Sequence, residues 1–390
     1  MGMERYRVIL AGICALVLTV GIARFAYTPL LPIMQQQADL SPLAGGWLAT
    51  ANYMGYISGA ILAAMTSDLH RKFVFYRVGL ILAVLSTLAM GMTQNLGMWV
   101  VLRYISGFSS TAGLLLASGL IMNWLIRHQY KSELGLHFTG LGLGIVVSGV
   151  AVALMSSHTS WDQQWLYLGM IGLTLLIPAW LWLPHPAQAQ MYTATPQAVP
   201  PSSRTMMLLI AAYFCAGFGY VVSATFIVAI LEKFPVFAGK GSWAWVIVGL
   251  AAMPSTFVWD RIATWLGQSA ALLLAYGLQI VAIILPALSQ DLWVNLFGAM
   301  LYGGTFVGIV SLMLSIVGRY FPANPAKAMA RLTVSYGIAQ ILAPVITGYL
   351  VTITHSYQSP LFIAAAFMII GMYLIVLMHR HVHQHNIRTA

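Results

Sequence analysis

The sequence predicts an all-α membrane protein, with twelve transmembrane helices in two pseudo-symmetric six-helix bundles. Three observations carry that expectation. Of 390 residues, 60% are hydrophobic and 7% charged, whereas an ordinary globular domain carries about 25% charged residues. A surface so poor in charge belongs in lipid. The apolar residues fall in twelve runs close to the roughly 20 residues that a helix needs to cross about 30 Å of hydrocarbon. After the sixth run, the stretch 184–206 places Pro184, Pro186, Pro196, Pro200 and Pro201 among Gln, Ala, Ser and Thr.

In chain order the expected spans are 8–34, 45–66, 74–92, 98–124, 134–157, 164–183, 207–231, 241–258, 265–287, 292–317, 332–354 and 361–378. The first follows Arg5 and Arg7 as a secretory leader would. No small-residue cleavage site closes a short apolar core, however, and the run continues to Met34, so it is expected to be retained. The prolines of 184–206 favour extended, solvated chain. The expected organisation is therefore an N-terminal bundle (1–183), a cytoplasmic linker (184–206), a C-terminal bundle (207–378) and a cytoplasmic His-rich tail (379–390).

Lysine and arginine set the orientation, because they accumulate in cytoplasmic loops. With the N-terminus inside, 14 of the 18 are cytoplasmic: Arg5, Arg7, Arg71, Lys72, Arg77, Arg127, Lys131, Arg204, Arg261, Arg319, Lys327, Arg331, Arg380 and Arg388. Lys233 and Lys240 are outside, and Arg24 and Arg103 lie within spans. Both termini are thus expected in the cytoplasm of a cell whose inner (plasma) membrane holds the protein as a monomer. The net charge of +10 reads as a topology signal facing the lipid bilayer, with no nucleic-acid partner. The twelve tryptophans fall towards span ends, as interfacial belts would require. Cys14 and Cys215 sit inside spans and are expected to be small packing residues rather than a disulfide.

The halves are weakly self-similar. Trp99-Val100-Val101-Leu102 matches Trp293-Val294-Asn295-Leu296, Phe25-Ala26-Tyr27 matches Phe218-Gly219-Tyr220, and Asp68 matches Asp260, at offsets of 194, 193 and 192. Six-plus-six parallel repeats are the plan of major facilitator transporters. The loop Ala64-Met65-Thr66-Ser67-Asp68-Leu69-His70-Arg71-Lys72 resembles that superfamily's G-x-x-x-D-R-x-G-R-R pattern, keeping the Asp and a basic pair. Arg103, Gly107 and Ser109 resemble its fourth-span pattern, and Gly140, Gly144 and Gly149 its fifth-span antiporter pattern, with Ile145 where a proline stands. Gly21-Ile22-Ala23-Arg24-Phe25-Ala26-Tyr27-Thr28-Pro29-Leu30-Leu31-Pro32 resembles the first span of the YbfB/YjiJ-type subgroup. The resemblance implies the major facilitator fold and transport by alternating access.

The loop residues Asp68, Arg71, Lys72, Asp260 and Arg261 are candidates for a cytoplasmic gate, in which Asp68 pairs with a basic neighbour or caps a helix in one transport state. The alternative is solvated loop charge. Gly140, Gly144 and Gly149 permit close helix approach, whether for antiport or for packing alone.

An arginine at the bilayer centre costs roughly 2.5–3.5 kcal/mol on insertion scales and needs a partner or a wet cavity. Arg24 and Arg103 are the two such residues, and Arg103 has Phe297 at the repeat position. All eight carboxylates lie in loops or at span ends, leaving none to pair with either arginine at depth. The expectation is a small organic anion that supplies the missing charge, held by Arg24 with Arg103 assisting. The alternatives are backbone hydrogen bonds or snorkelling for Arg24, and anchoring of span four for Arg103. Tyr27, Asn52, Tyr53, Tyr220, Tyr336 and Gln340 are further candidates to orient substrate, or to bond neighbouring helices. His137 is the candidate proton carrier, or else a packing residue. Proton-coupled efflux of neutral or cationic compounds is the second functional reading. The tail histidines His379, His381, His383 and His385 favour a basic, lipid-facing segment over a metal site; no metal and no cofactor is expected. Neither H-E-x-x-H nor G-x-x-x-x-G-K-[ST] occurs, and no nucleophile constellation supports an enzyme.

Overall fold

The computed structural model describes residues 2–130, 134–187, 203–320 and 325–389, and among them every regular element is helical. In chain order the membrane helices are α1 (Met3–Gln37), α2 (Pro42–Met65), α3 (Leu69–Met90), α4 (Leu96–Arg127), α5 (Leu134–Met155), α6 (Trp161–Leu181) and α7 (Ser203–Leu231). They continue with α8 (Ser242–Ala252 and Ser255–Leu266), α9 (Gln268–Leu288), α10 (Leu292–Tyr320), α11 (Pro325–Thr354) and α12 (Gln358–Thr389). Lys131, Glu133, Pro196, Pro200 and Pro201 lie outside the described residues. With twelve crossings both ends of the chain fall on one side, called here the N face.

Three elements depart from the expected spans, each for a physical reason. The two pieces of α8 meet at 48° across Met253-Pro254, because proline lacks the N–H and its ring clashes with the preceding turn. Helix α2 is too polar to pass as a span on apolar composition: its buried face carries Gly45, Gly46, Thr50, Asn52, Gly55 and Gly59. Helix α12 runs on to Thr389, taking up most of the segment expected as a separate tail.

The tryptophans divide. Trp47, Trp243, Trp265 and Trp293 are well exposed and suit an interfacial belt. Trp99, Trp161, Trp165, Trp245 and Trp259 are buried instead, which corrects the expectation that all twelve belong to belts. Trp99 meets Trp161 edge to face at 5.3 Å and donates to the Met90 carbonyl at 3.2 Å, and Trp259 donates to the Gly304 carbonyl at 2.6 Å. A span-end position fixes depth in the membrane, but the helix face decides between lipid and protein.

Glycines set how closely the helices pack. The α5 glycines serve two faces. A Cβ on Gly140 would stand 3.1 Å from Ile13 Cα, and one on Gly144 2.7 Å from Gly21 Cα, both on α1. On the other face a Cβ on Gly142 would stand 2.7 Å from the Gly249 carbonyl and one on Gly149 2.9 Å from Val246, both on α8 of the other bundle. The pseudo-symmetric contact between α2 and α11 brings Gly46 against the Pro344 carbonyl and Gly348 against Pro42. The bundles are further tied by Thr28 Oγ1 donating to the Ala224 carbonyl and Thr50 Oγ1 to the Ile341 carbonyl, both at 2.6 Å. On the side away from the N face, residues 26–32 of α1 and 215–231 of α7 are buried without interruption.

Gly144→Val is expected to overpack the α1–α5 contact and to cost about 1–3 kcal/mol. Thermal unfolding of purified protein checks this, with Gly277→Ala as control because a Cβ there meets nothing within 4 Å: the first should melt earlier and the second should not.

Candidate substrate cavity

The site begins with an irregularity in α1. Residues Val17–Phe25 are wound as a π-helix between two α-helical segments. Pro29 has no N–H for the Phe25 carbonyl four residues earlier, and its ring crowds that turn. Such widened turns change which backbone carbonyls find intrahelical partners. Ala23 and Arg24 offer their carbonyls to α4. Arg103 donates from Nη1 to the Ala23 carbonyl at 3.0 Å and from Nη2 to the Arg24 carbonyl at 3.2 Å, and Ser106 Oγ donates to the Ala23 carbonyl at 2.6 Å. Asn52 of α2 completes the cluster, donating to the Arg103 carbonyl at 3.0 Å and to Ser106 Oγ at 2.9 Å. The Arg103 guanidinium carbon stands 4.4 Å from the Tyr27 ring centre, and the Tyr27 hydroxyl donates to the Gly45 carbonyl at 2.9 Å.

These contacts give Arg103, Asn52 and Tyr27 partners on neighbouring helices. The two terminal nitrogens of Arg103, the Asn52 amide and the Tyr27 hydroxyl are used in fastening α1, α2 and α4 together, while Arg103 Nε has no hydrogen-bond partner. The cleft between Arg103 and Arg24 measures only about 10 Å³, the space of one water at most. Arg103 holds α4 against the backbone of α1.

Arg24 is arranged differently. It is buried, its guanidinium carbon 4.7 Å from the Tyr53 ring centre and 4.6 Å from that of Tyr56. The Tyr53 hydroxyl faces it together with Tyr220 and Thr225. Arg24 Nε has no hydrogen-bond partner. Aromatic faces attract a guanidinium, yet they do not cancel its charge.

Beside Arg24 a cavity of about 250 Å³ opens between the bundles, bounded by Tyr56, Tyr213, Tyr220, Phe306, Tyr336 and Gln340. Towards the N face its walls are the partly exposed Leu114, Leu115, Leu141, Val310, Leu314 and Thr333. Arg24 is its one charged lining residue among those described. Gln340 is 3% exposed, and its Oε1 has no hydrogen-bond partner. Sequence reasoning named Arg24, Tyr220, Tyr336 and Gln340 but missed Tyr56, Tyr213 and Phe306. Helical spacing carried the signal: Tyr56 follows Tyr53 by three residues and Tyr213 precedes Tyr220 by seven, on shared faces.

His137 stands apart from this cavity. It is fully buried, its Nε2 3.0 Å from Ser118 Oγ and its ring against Gly12 of α1. Its surroundings are those of a packed, hydrogen-bonded histidine.

The profile of the family described as uncharacterised MFS-type transporter YbfB matches residues 16–376. The chain belongs to this family. Its members are transporters of the major facilitator superfamily, not enzymes. The uncharacterized transporter YycB of Bacillus subtilis is 24% identical over 359 residues, covering 80% of this chain and 86% of its own. The gallate transporter of Pseudomonas putida is 28% identical over 197 residues, 49% of this chain and 42% of that one. Some relatives match over much less: the uncharacterized transporter mfc1 of Schizosaccharomyces pombe is 27% identical over 130 residues, 33% of this chain and 26% of its own length. In fold, the crystal structure of the nucleoside transporter NupG (D323A mutant) superposes with a TM-score of 0.77 at 14% identity, covering 95% of this chain and 99% of that one.

In this transporter the loop residues take local roles. Asp68 caps its own helix, Oδ1 accepting from the Arg71 N–H at 2.6 Å, which favours a carboxylate at a helix N-terminus. The Arg71 side chain is exposed and Lys72 half-buried. Asp260 and Arg261 are exposed on α8, with Arg261 5.3 Å from the Trp265 ring centre.

The two deep arginines are expected to respond oppositely to replacement. Arg103→Met removes the side-chain donor of the Arg24 carbonyl and leaves the Ala23 carbonyl with Ser106 Oγ alone, a loss of about 1–3 kcal/mol, so its melting temperature should fall. Arg24→Met removes a charge with no ionic partner and should melt no earlier than the unmodified protein. Thermal unfolding in detergent separates them.

Proposed function

We propose that this protein is a secondary carrier that moves a small organic anion across the cell membrane by alternating access. The observation that carries the reading is Arg24, a buried cation with no carboxylate among the described lining residues of the central cavity. An anionic cargo completes the charge and gains paired hydrogen bonds from the guanidinium. A cationic cargo would be repelled by Arg24. The likeness to the gallate transporter, across 49% of this chain, supports an organic anion.

The excess of lysine and arginine on the N face makes that face cytoplasmic. The cavity lies on the cytoplasmic side of Arg24, and the opposite side is closed by the buried ends of α1 and α7, so the state described is inward-facing. Transport then requires the α2–α11 and α5–α8 contacts to act as fulcra while the bundles rock. In the outward-facing state Asp68, Arg71 and Lys72 of one bundle and Asp260 and Arg261 of the other draw together as a cytoplasmic gate. With His137 outside the cavity and no carboxylate among its described lining residues, exchange or facilitated movement of the anion fits better than proton-coupled efflux.

The test is a thermal-shift screen of purified protein against monocarboxylates, dicarboxylates, phosphate esters and lipophilic cations, repeated with Arg24→Gln. Stabilisation by a monoanion that vanishes in Arg24→Gln is expected. Stabilisation by cations that survives the substitution would overturn the reading. In sealed vesicles the stabilising anion should exchange labelled for unlabelled solute, with a loss of about a hundredfold or more in Arg24→Gln, as for a buried charge contact.

A further inference from the structure

The cavity has a second orphan besides Arg24 and a wall of one kind, and together they narrow the cargo. Tyr213 and Tyr336 have ring centres 4.5 Å apart, Tyr336 and Tyr220 5.9 Å, and Tyr220 and Phe306 5.3 Å. These rings form a continuous aromatic surface across α7, α10 and α11, and all four residues border the cavity next to Arg24. Such a surface favours a flat π system, by offset stacking or edge contact, over an aliphatic group of equal size. Gln340 borders the same space with its buried Oε1 unpartnered. A buried acceptor without a donor is costly, and a ligand that brings the donor removes that cost. Arg24 is the single cation of the described lining, so one carboxylate is matched where two would leave a charge unpaired.

We propose that the cargo is an aromatic monocarboxylate bearing a hydroxyl on its ring: the carboxylate meets Arg24, the ring lies on the tyrosine–phenylalanine wall, and the hydroxyl donates to Gln340 Oε1. This deepens the anion reading and rests on it. The recognition is bipartite, with a charge contact at one end, a neutral hydrogen bond at the other and stacking between them. Such a site rejects the analogue that keeps shape and charge but lacks the donor.

The experiment measures dissociation constants of the full-length purified carrier for benzoate, cyclohexanecarboxylate, and the 3- and 4-hydroxybenzoates with their methoxy counterparts. Benzoate should bind about threefold to tenfold more tightly than cyclohexanecarboxylate. At one ring position the hydroxy acid should bind about tenfold or more tightly than its methoxy ether. In Gln340→Leu that hydroxy-to-methoxy ratio should fall to near one, and the ratio in unmodified protein decides the matter should the variant fail to fold. Equal binding of benzoate and cyclohexanecarboxylate, or of hydroxy and methoxy acids at both positions, overturns the aromatic hydroxy-acid assignment. If all these acids nevertheless lose affinity in Arg24→Gln, the anion reading survives that failure. If none of them binds and a non-anionic compound does, both fall.

Discussion

A guanidinium in hydrocarbon must find hydrogen bonds, opposite charge or water, and two arginines on neighbouring helices meet that demand in opposite ways. Arg103 is satisfied by backbone: the Ala23 and Arg24 carbonyls of a π-wound turn accept its two terminal nitrogens. The Arg24 guanidinium instead lies between two tyrosine rings at the edge of a cavity. The first arginine therefore sets the position of the second. Holding the backbone of Ala23 and Arg24 against α4 fixes the direction in which the Arg24 side chain leaves α1.

This division assigns structure and function to different parts of one cluster. Asn52, Ser106, Arg103 and Tyr27 form a polar seam among α1, α2 and α4 with almost no free space. Its hydrogen bonds are internal, where an unmade bond costs most because no water replaces it. Arg24, Gln340 and the aromatic wall line open space and retain unsatisfied polar atoms. Incomplete satisfaction at a binding site is a usual concession of stability to function.

The glycines of α5 link this local arrangement to the whole. Gly140 and Gly144 bring α1 into near-backbone contact, while Gly142 and Gly149 do the same for α8 of the opposite bundle. One helix thus carries the load of its own bundle on one face and the inter-bundle contact on the other. Small residues permit such approach because van der Waals packing, not hydrophobic exclusion, drives association in lipid. The glycines need no antiporter role to account for their spacing.

Composition and apolar run length were enough to establish from sequence a twelve-helix membrane protein in two halves, because the cost of burying backbone polar groups in lipid leaves few options for such a chain. They also singled out Arg24, since a charge in an apolar run is visible without coordinates. Tertiary structure decided what sequence had left open. Arg103 looked equivalent to Arg24 because depth along a helix says nothing of which carbonyls a side chain meets. Likewise the buried tryptophans had the right depth for a belt and faced protein instead. Tyr56, Tyr213 and Phe306 became a cavity wall only once α2, α7 and α10 were set side by side. Period and hydropathy are properties of one helix, whereas a site is a relation among several, set by packing between segments far apart in the chain.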